Sequence, residues 1–253
     1  MTRSPTTPQL PWLAPGEAFP EVSKAWGRND PVPGLLAGGG DLSVDTLREA
    51  YTHGIFPWYS AGQPILWWSP DPRMTLRVAE FKLHRSLRKS LNAFLQTSGC
   101  EVRIDHDFAA VISACANTSR DGQAGTWILP EMQAAYIALH RAGLAHSVET
   151  WKDGELIGGL YCTAIGSAVF GESMFARQTD ASKIALCALV ALCRSQGVPL
   201  IDCQQNTSHL ASLGAAEISR EAFCAHVLSS AKNPMQWRRD CIKWELLDVR
   251  LAS

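Results

Sequence analysis

Hydrophobic and polar positions along this chain follow two periods, and where one gives way to the other marks out the elements. In "SVDTLREAYTHG", Leu47, Ala50 and Tyr51 share one face behind a serine and ahead of a glycine, which predicts a helix capped by Ser43 and stopped at Gly54. The helical period recurs in "HRSLRKSLNAFL", where Leu87, Leu91 and Phe94 lie on one face and Arg85, Arg88, Lys89 and Asn92 on the other. A short strand at "CEVRI" comes next, then a helix from Phe108 through Val111, Ile112 and Cys115. A further helix begins on Pro130, turns Met132, Ala135, Tyr136 and Leu139 inward and stops at Gly143. From His146 the pattern is that of strands: "HSVETWKDGELIGGLYCTAIGSAVFGESMF" reads as three antiparallel strands joined by "KDGE" and "AIGS" turns. The long apolar helix "ASKIALCALVALCRSQG", the strand "PLIDCQQ", a short helix ending in "SLGA", a strand and a final helix complete the chain.

This order predicts an α+β protein. Residues 1–76, rich in Pro, Gly and Trp with one clear helix, read as a small N-terminal domain, and residues 77–253 as a larger one. The strands, long helix, strand, helix and strand of the larger part resemble the N-acetyltransferase superfamily fold, a mixed sheet flanked by helices. Enzymes of that fold hold the coenzyme A pyrophosphate on a Gly-rich loop opening the long helix, whereas the matching segment here, "RQTDASKIAL", has no glycine. An acyl-CoA donor is therefore disfavoured, no cofactor is expected, and the acyl group should arrive on another carrier.

Composition narrows the classes further. The chain has 253 residues, 46% hydrophobic and 19% charged, enough for a substantial core and too apolar for disorder. No apolar run reaches membrane-spanning length, and the first twenty residues hold five prolines where a signal peptide needs a continuous apolar stretch, so a soluble, cytoplasmic protein is expected, and one candidate active site with no evident isologous patch makes a monomer the default. Eight cysteines without a C-x-x-C pair suggest neither a disulfide framework nor a zinc site, and His140 and His146 merely flank a turn, so no metal is expected. The net charge of −1 argues against a bulk polyelectrolyte binder, yet Arg73 to Lys89 contains six basic residues against the single acid Glu80. Arg73, Arg85, Arg88 and Lys89 are accordingly candidates for contacting an RNA backbone, the alternative being a solvated helix face.

Two stretches carry candidate chemistry. In "SAVFGESMF", Glu172 interrupts an apolar run with no basic residue within two positions. Such a carboxylate either points from an edge strand into water or lines a cleft and meets a cationic substrate group. In "LIDCQQN", Asp202 and Gln204 stand two apart on a strand, so strict alternation sends both to one face and Cys203 to the other. A carboxylate and an amide so placed can accept hydrogen bonds from an incoming ammonium or amine.

The stretches "GGGDLSVDTLREAYTHGIFPWYSAGQPILWWSPDPR", "GTWI", "AHSVETW", "GGLY", "GESMF", "ASKIAL", "LIDCQ" and "HLASLGA" together resemble the leucyl/phenylalanyl-tRNA–protein transferase family, from about Gly34 to Ala225. The resemblance implies a tRNA-dependent aminoacyltransferase that moves Leu, also Phe and less readily Met, from Leu-tRNA or Phe-tRNA to the α-amine of proteins with N-terminal Arg or Lys, marking them for degradation. It implies that Asp202 polarises Gln204, which draws a proton from the attacking amine; an amide is a very poor base, so Gln204 is read as an orienting acceptor. Glu172 would pair with the acceptor's Arg or Lys side chain, a charge-assisted contact, with Gly171 and Ser173 supporting it. Tyr51, Trp58, Trp127 and Tyr136 match positions lining the donor pocket, and Leu160 stands where a methionine can occur, while Trp67 and Trp68 are expected in the core. Three rival readings are a coenzyme A-dependent acetyltransferase, a two-carboxylate hydrolase built on Glu172 and Asp202, and a non-catalytic RNA-binding module.

Overall fold

A computed structural model describes residues 9–118 and 126–247. Among these residues the chain forms an α+β structure with two sheets, as the pattern predicts. The smaller sheet holds β1 (Trp12–Leu13), β2 (Leu35–Gly39), β3 (Phe56–Pro57) and β4 (Leu66–Trp68) in the order β1-β2-β4-β3. Between β2 and β3 runs α1 (Val44–Thr52), with Ser43 accepting from the Thr46 amide and Leu47, Ala50 and Tyr51 buried, so the sequence signals fix this helix at both ends. The aromatics of the opening segment pack here: Phe19 meets Trp67 edge-on at 4.8 Å, and Trp12 lies over Gly38 and Gly39, where a Cβ would strike its ring. Trp67 and Trp68 are buried, as expected.

The larger sheet has seven strands in the order β11-β5-β10-β9-β8-β7-β6. In chain order these are β5 (Arg73–Arg77), β6 (Cys100–Ile104), β7 (Ala145–Lys152), β8 (Glu155–Ile165), β9 (Ala168–Ala176), β10 (Leu200–Gln204) and β11 (Ala216–Ile218). The turns between β7, β8 and β9 fall where "KDGE" and "AIGS" place them, with Asp153, Gly154 and Gly166 at positive φ. The sequence puts the change of domain after residue 76, but β5 lies between β10 and β11 in the larger sheet, so the change of sheet precedes Arg73.

The helices cover both faces of this sheet. On one face, α5 (Ala181–Ser195) is apolar nearly all round, and α2 (Arg85–Gln96) packs beside it through Leu87, Leu91 and Phe94. On the other, α3 (Phe108–Ala116), α4 (Pro130–Arg141) and α7 (Arg220–Ser230) share a continuous apolar cluster with α1 and the small sheet. A five-residue helix, α6 (Ser208–Ser212), connects β10 to β11. At the start of α5, Asp180 takes a left-handed φ of 62° and its carboxylate is held by Ser90 Oγ and Lys183 Nζ, so an anionic group already sits at that helix terminus.

Candidate active site

The central parallel pair of strands creates the site. β9 and β10 pair only at Val169–Ile201 and Phe170–Asp202, and just beyond these residues both strands carry an irregularity. In β9, Tyr161 and Cys162 of β8 face Ser173 and Gly171, so Glu172 is the extra residue of a β-bulge. In β10, Asp202 and Gln204 face Thr75 and Met74 of β5, so Cys203 is the extra residue there. Two neighbouring bulges open the sheet, and a cavity of about 820 Å³ lies in the gap.

The cavity draws on both cores. Its aliphatic lining, with Leu160, Met174, Leu186, Leu189 and Ile201, belongs to the cluster on the α5 side. Its aromatic lining, Phe56, Trp58, Trp127 and Tyr161, belongs to the cluster shared with the small sheet. Glu172, Ser173, Asp202 and Gln204 supply polar atoms between them. Trp58, Trp127, Leu160 and Ser173 thus stand on the wall of one cavity with Glu172 and Gln204.

Glu172 is partly buried, and each of its carboxylate oxygens accepts one hydrogen bond. Its Oε1 accepts from the Tyr51 hydroxyl at 2.7 Å, and its Oε2 accepts from Gln204 Nε2 at 3.1 Å. Tyr51 in turn lies 2.5 Å from the Tyr136 hydroxyl. Burial pushes the Glu172 carboxyl up to about 7, and the hydrogen bonds from Tyr51 and Gln204 pull against that rise. Burial also lifts both tyrosines well above their ordinary range, so Tyr51 remains a hydroxyl donor and Tyr136 must donate to it.

Several expectations change here. Tyr51 and Tyr136 are completely buried and do not line the cavity; Tyr51 donates to Glu172, and Tyr136 is hydrogen-bonded to Tyr51. Strict alternation at Asp202–Gln204 fails because of the bulge: Cys203 joins the cavity lining, and Gln204 adopts a left-handed φ of 61°. Asp202 is almost wholly buried and turned toward Arg73, whose Nε and Nη2 donate to its two oxygens at 2.8 and 2.6 Å, while the Gln204 backbone N–H donates to Oδ1 at 2.9 Å. Arg73 is wholly buried and so has no face to offer a phosphate. Arg85 and Lys89 are exposed on α2, beside a half-buried Arg88 whose Nη1 donates to the Leu247 carbonyl, and with Asn92 they line a shallow groove of about 890 Å³.

Residues of the "QNTSHL" segment were missed. Gln205, Thr207, His209 and Leu210 also line the cavity, and burial with nearby Lys183 lowers the His209 pKa, which favours its neutral form. The available signal was position, since ligands gather at the carboxyl ends of parallel strands, and this segment follows the carboxyl end of β10.

Comparison with known proteins places the chain in a family. Residues 75–228 match the family described as leucyl/phenylalanyl-tRNA protein transferase, and residues 40–71 match the N-terminal domain of the same family. A leucyl/phenylalanyl-tRNA–protein transferase of Albidiferax ferrireducens is 61% identical over 241 residues, covering 95% of each chain. One of Polaromonas sp. is 60% identical over 237 residues, covering 93% of each. Among solved structures, FemX aligns with a TM-score of 0.44 at 12% identity, over 69% of this chain and 66% of that one. The chain belongs to the leucyl/phenylalanyl-tRNA protein transferase family, a family of aminoacyltransferases.

Proposed function

We propose that this protein transfers leucine, also phenylalanine and less readily methionine, from charged tRNA to the α-amine of proteins beginning with Arg or Lys. It acts as a cytoplasmic monomer and marks its acceptors for degradation. The observation that carries the reading is the meeting of Glu172 and Gln204 in one cavity that has aliphatic walls on one side and aromatic walls on the other. The aliphatic wall suits a leucine or phenylalanine side chain, and Trp58 and Trp127 suit the terminal adenosine. Leu160 faces Met174 across β8 and β9, so the wall combines a branched side chain with an adaptable one.

The reaction makes modest demands. The amine nitrogen attacks the ester carbonyl carbon, the C–N bond forms, the bond to the ribose oxygen breaks, and the proton lost by nitrogen ends on that oxygen. An α-amine has a reference pKa of about 7.7–8.0, so a useful fraction is neutral near pH 7 and no strong base is needed. Positioning is what the site supplies. An ionised Glu172 can only accept, which turns Nε2 of Gln204 toward it and leaves the amide oxygen to orient the amine. The same carboxylate offers its remaining lone pairs to the acceptor's guanidinium or ammonium.

Labelled leucine supplied on tRNA to model acceptors beginning with Arg, Lys, Asp or Ala tests this. The expected outcome is label on Arg and Lys alone with the wild type, and a lost preference with Glu172→Gln. Label on Asp would refute the cation-pairing role, and label on none would refute the transfer itself.

A further inference from the structure

Arg73, too deeply buried for RNA contact, has no part in the transfer as described above. It is among the largest fully buried side chains, with its guanidinium between the rings of Phe56 and Phe223 at 4.7 and 4.5 Å. It forms a bidentate pair with Asp202, and its Nη1 reaches the Gly54 carbonyl just past the end of α1 at 3.2 Å. Gly54 is itself confined: at φ 73° an added Cβ would stand 3.1 Å from both Cys224 Sγ and Phe223. Asp202 passes the connection on, because the oxygen that receives Arg73 Nε also receives the Gln204 amide. Gln204 needs that support, since φ of 61° is a conformation that a side chain with a Cβ rarely adopts. From Gln204 the path continues through Glu172 to Tyr51, which lies on α1 again. A closed ring of hydrogen bonds therefore ties α1 to the bulges of β9 and β10.

We propose that Arg73 is a positioning residue for aminoacyl transfer: through Asp202 it holds the Gln204 backbone in its left-handed turn and so aims the Gln204 amide at the reacting amine. Asp202 then acts as the link between a buried guanidinium and the bulge, with no proton passing through it. Phe56 makes the arrangement economical, because the same ring covers Arg73 on one side and lines the cavity on the other. The inference rests on the transfer reaction proposed above, and wild-type transfer of leucine from charged tRNA establishes that reaction separately.

The test is a double-mutant cycle on kcat between Arg73→Lys and Gln204→Ala, with leucyl-tRNA and with leucyl-adenosine as donors. A lysine offers a point charge where Arg73 bridges two oxygens and a carbonyl. Arg73→Lys is expected to lower kcat on the order of a hundredfold with either donor, as misplacement of about an ångström can, and to leave the KM for leucyl-tRNA within about twofold. The double variant should be no slower than the slower single one, because both changes remove the same alignment. Multiplicative losses would overturn the proposal, as would a raised KM for leucyl-tRNA at unchanged kcat. Should Arg73→Lys not fold, Arg73→Met combined with Asp202→Leu replaces a buried ion pair by apolar side chains, an exchange proteins often tolerate. Folded protein that retains wild-type kcat would overturn the proposal equally.

Discussion

Glu172 owes its setting to a single inserted residue. As the bulged residue of β9 it leaves the strand's alternation and turns toward Tyr51 and Gln204, where burial raises its pKa from 4.5 to about 7. The sign of the consequence follows from proton counting. Between these two values the folded protein keeps a proton that the unfolded chain has released, so stability falls as pH rises from about 4.5 to about 7. The full shift corresponds to roughly 3 kcal/mol. Glu172→Gln, permanently neutral, is expected to melt at a higher temperature than the wild type at pH 8, with the difference fading below pH 5; scanning calorimetry across this range would read it. Tyr51→Phe removes a hydrogen bond that favours the carboxylate, so the pH at which Arg-terminal acceptors become substrates should move upward. The sequence showed that Glu172 was anomalous and that Gly171 preceded it, a pairing typical of a bulge. It did not show the partner, because Tyr51 stands 121 residues away and is joined only by the fold.

At the scale of elements, local chemistry was legible and long-range pairing was not. The ends of α1 and α4 and the two hairpin turns follow from capping residues, Pro130 and glycines, all within a few positions of the feature they control. In the sequence Arg73 belongs to a basic run, whereas the neighbours of its strand, β10 and β11, lie more than a hundred residues onward. The same distance hid the ion pair with Asp202, 129 residues away, and turned a buried arginine into an apparent phosphate contact. What remains of that run is α2, amphipathic as predicted, with Leu87, Leu91 and Phe94 buried and Arg85 and Lys89 exposed. A surface of this kind works through counterion release, so its contribution should depend on salt. Charge reversal at Arg85 and Lys89 is expected to raise the KM for leucyl-tRNA several-fold at low salt and to flatten its salt dependence, while turnover of leucyl-adenosine stays within twofold. Kinetics with the two donors side by side would decide it, and equal damage to both would remove α2 from tRNA binding.

For the molecule as a whole, composition suggests two domains, yet the packing joins them. The apolar cluster holding Leu36, Leu47 and Trp67 of the N-terminal region runs without a break into Phe108, Val111, Tyr136 and Phe170. α1 contacts α4 and β8, and its Tyr51 and the Gly54 carbonyl close the polar ring on Glu172 and Arg73. Removing residues 1–71 would therefore uncover a core face and leave Arg73 without its carbonyl partner and without Phe56. Burial on this scale outweighs the few kcal/mol by which a domain is ordinarily stable. The expected result is that the remaining chain binds a hydrophobic dye, lacks a cooperative melt and transfers no leucine. The intact protein should unfold in one transition, with tryptophan fluorescence, which samples both sheets through Trp67 and Trp151, coinciding with far-ultraviolet dichroism. Two separated transitions, or a truncated chain that melts cooperatively, would show that the small sheet is an appended module. Its helix α1 would then be a removable support, when the ring from Tyr51 to Arg73 makes it part of the site.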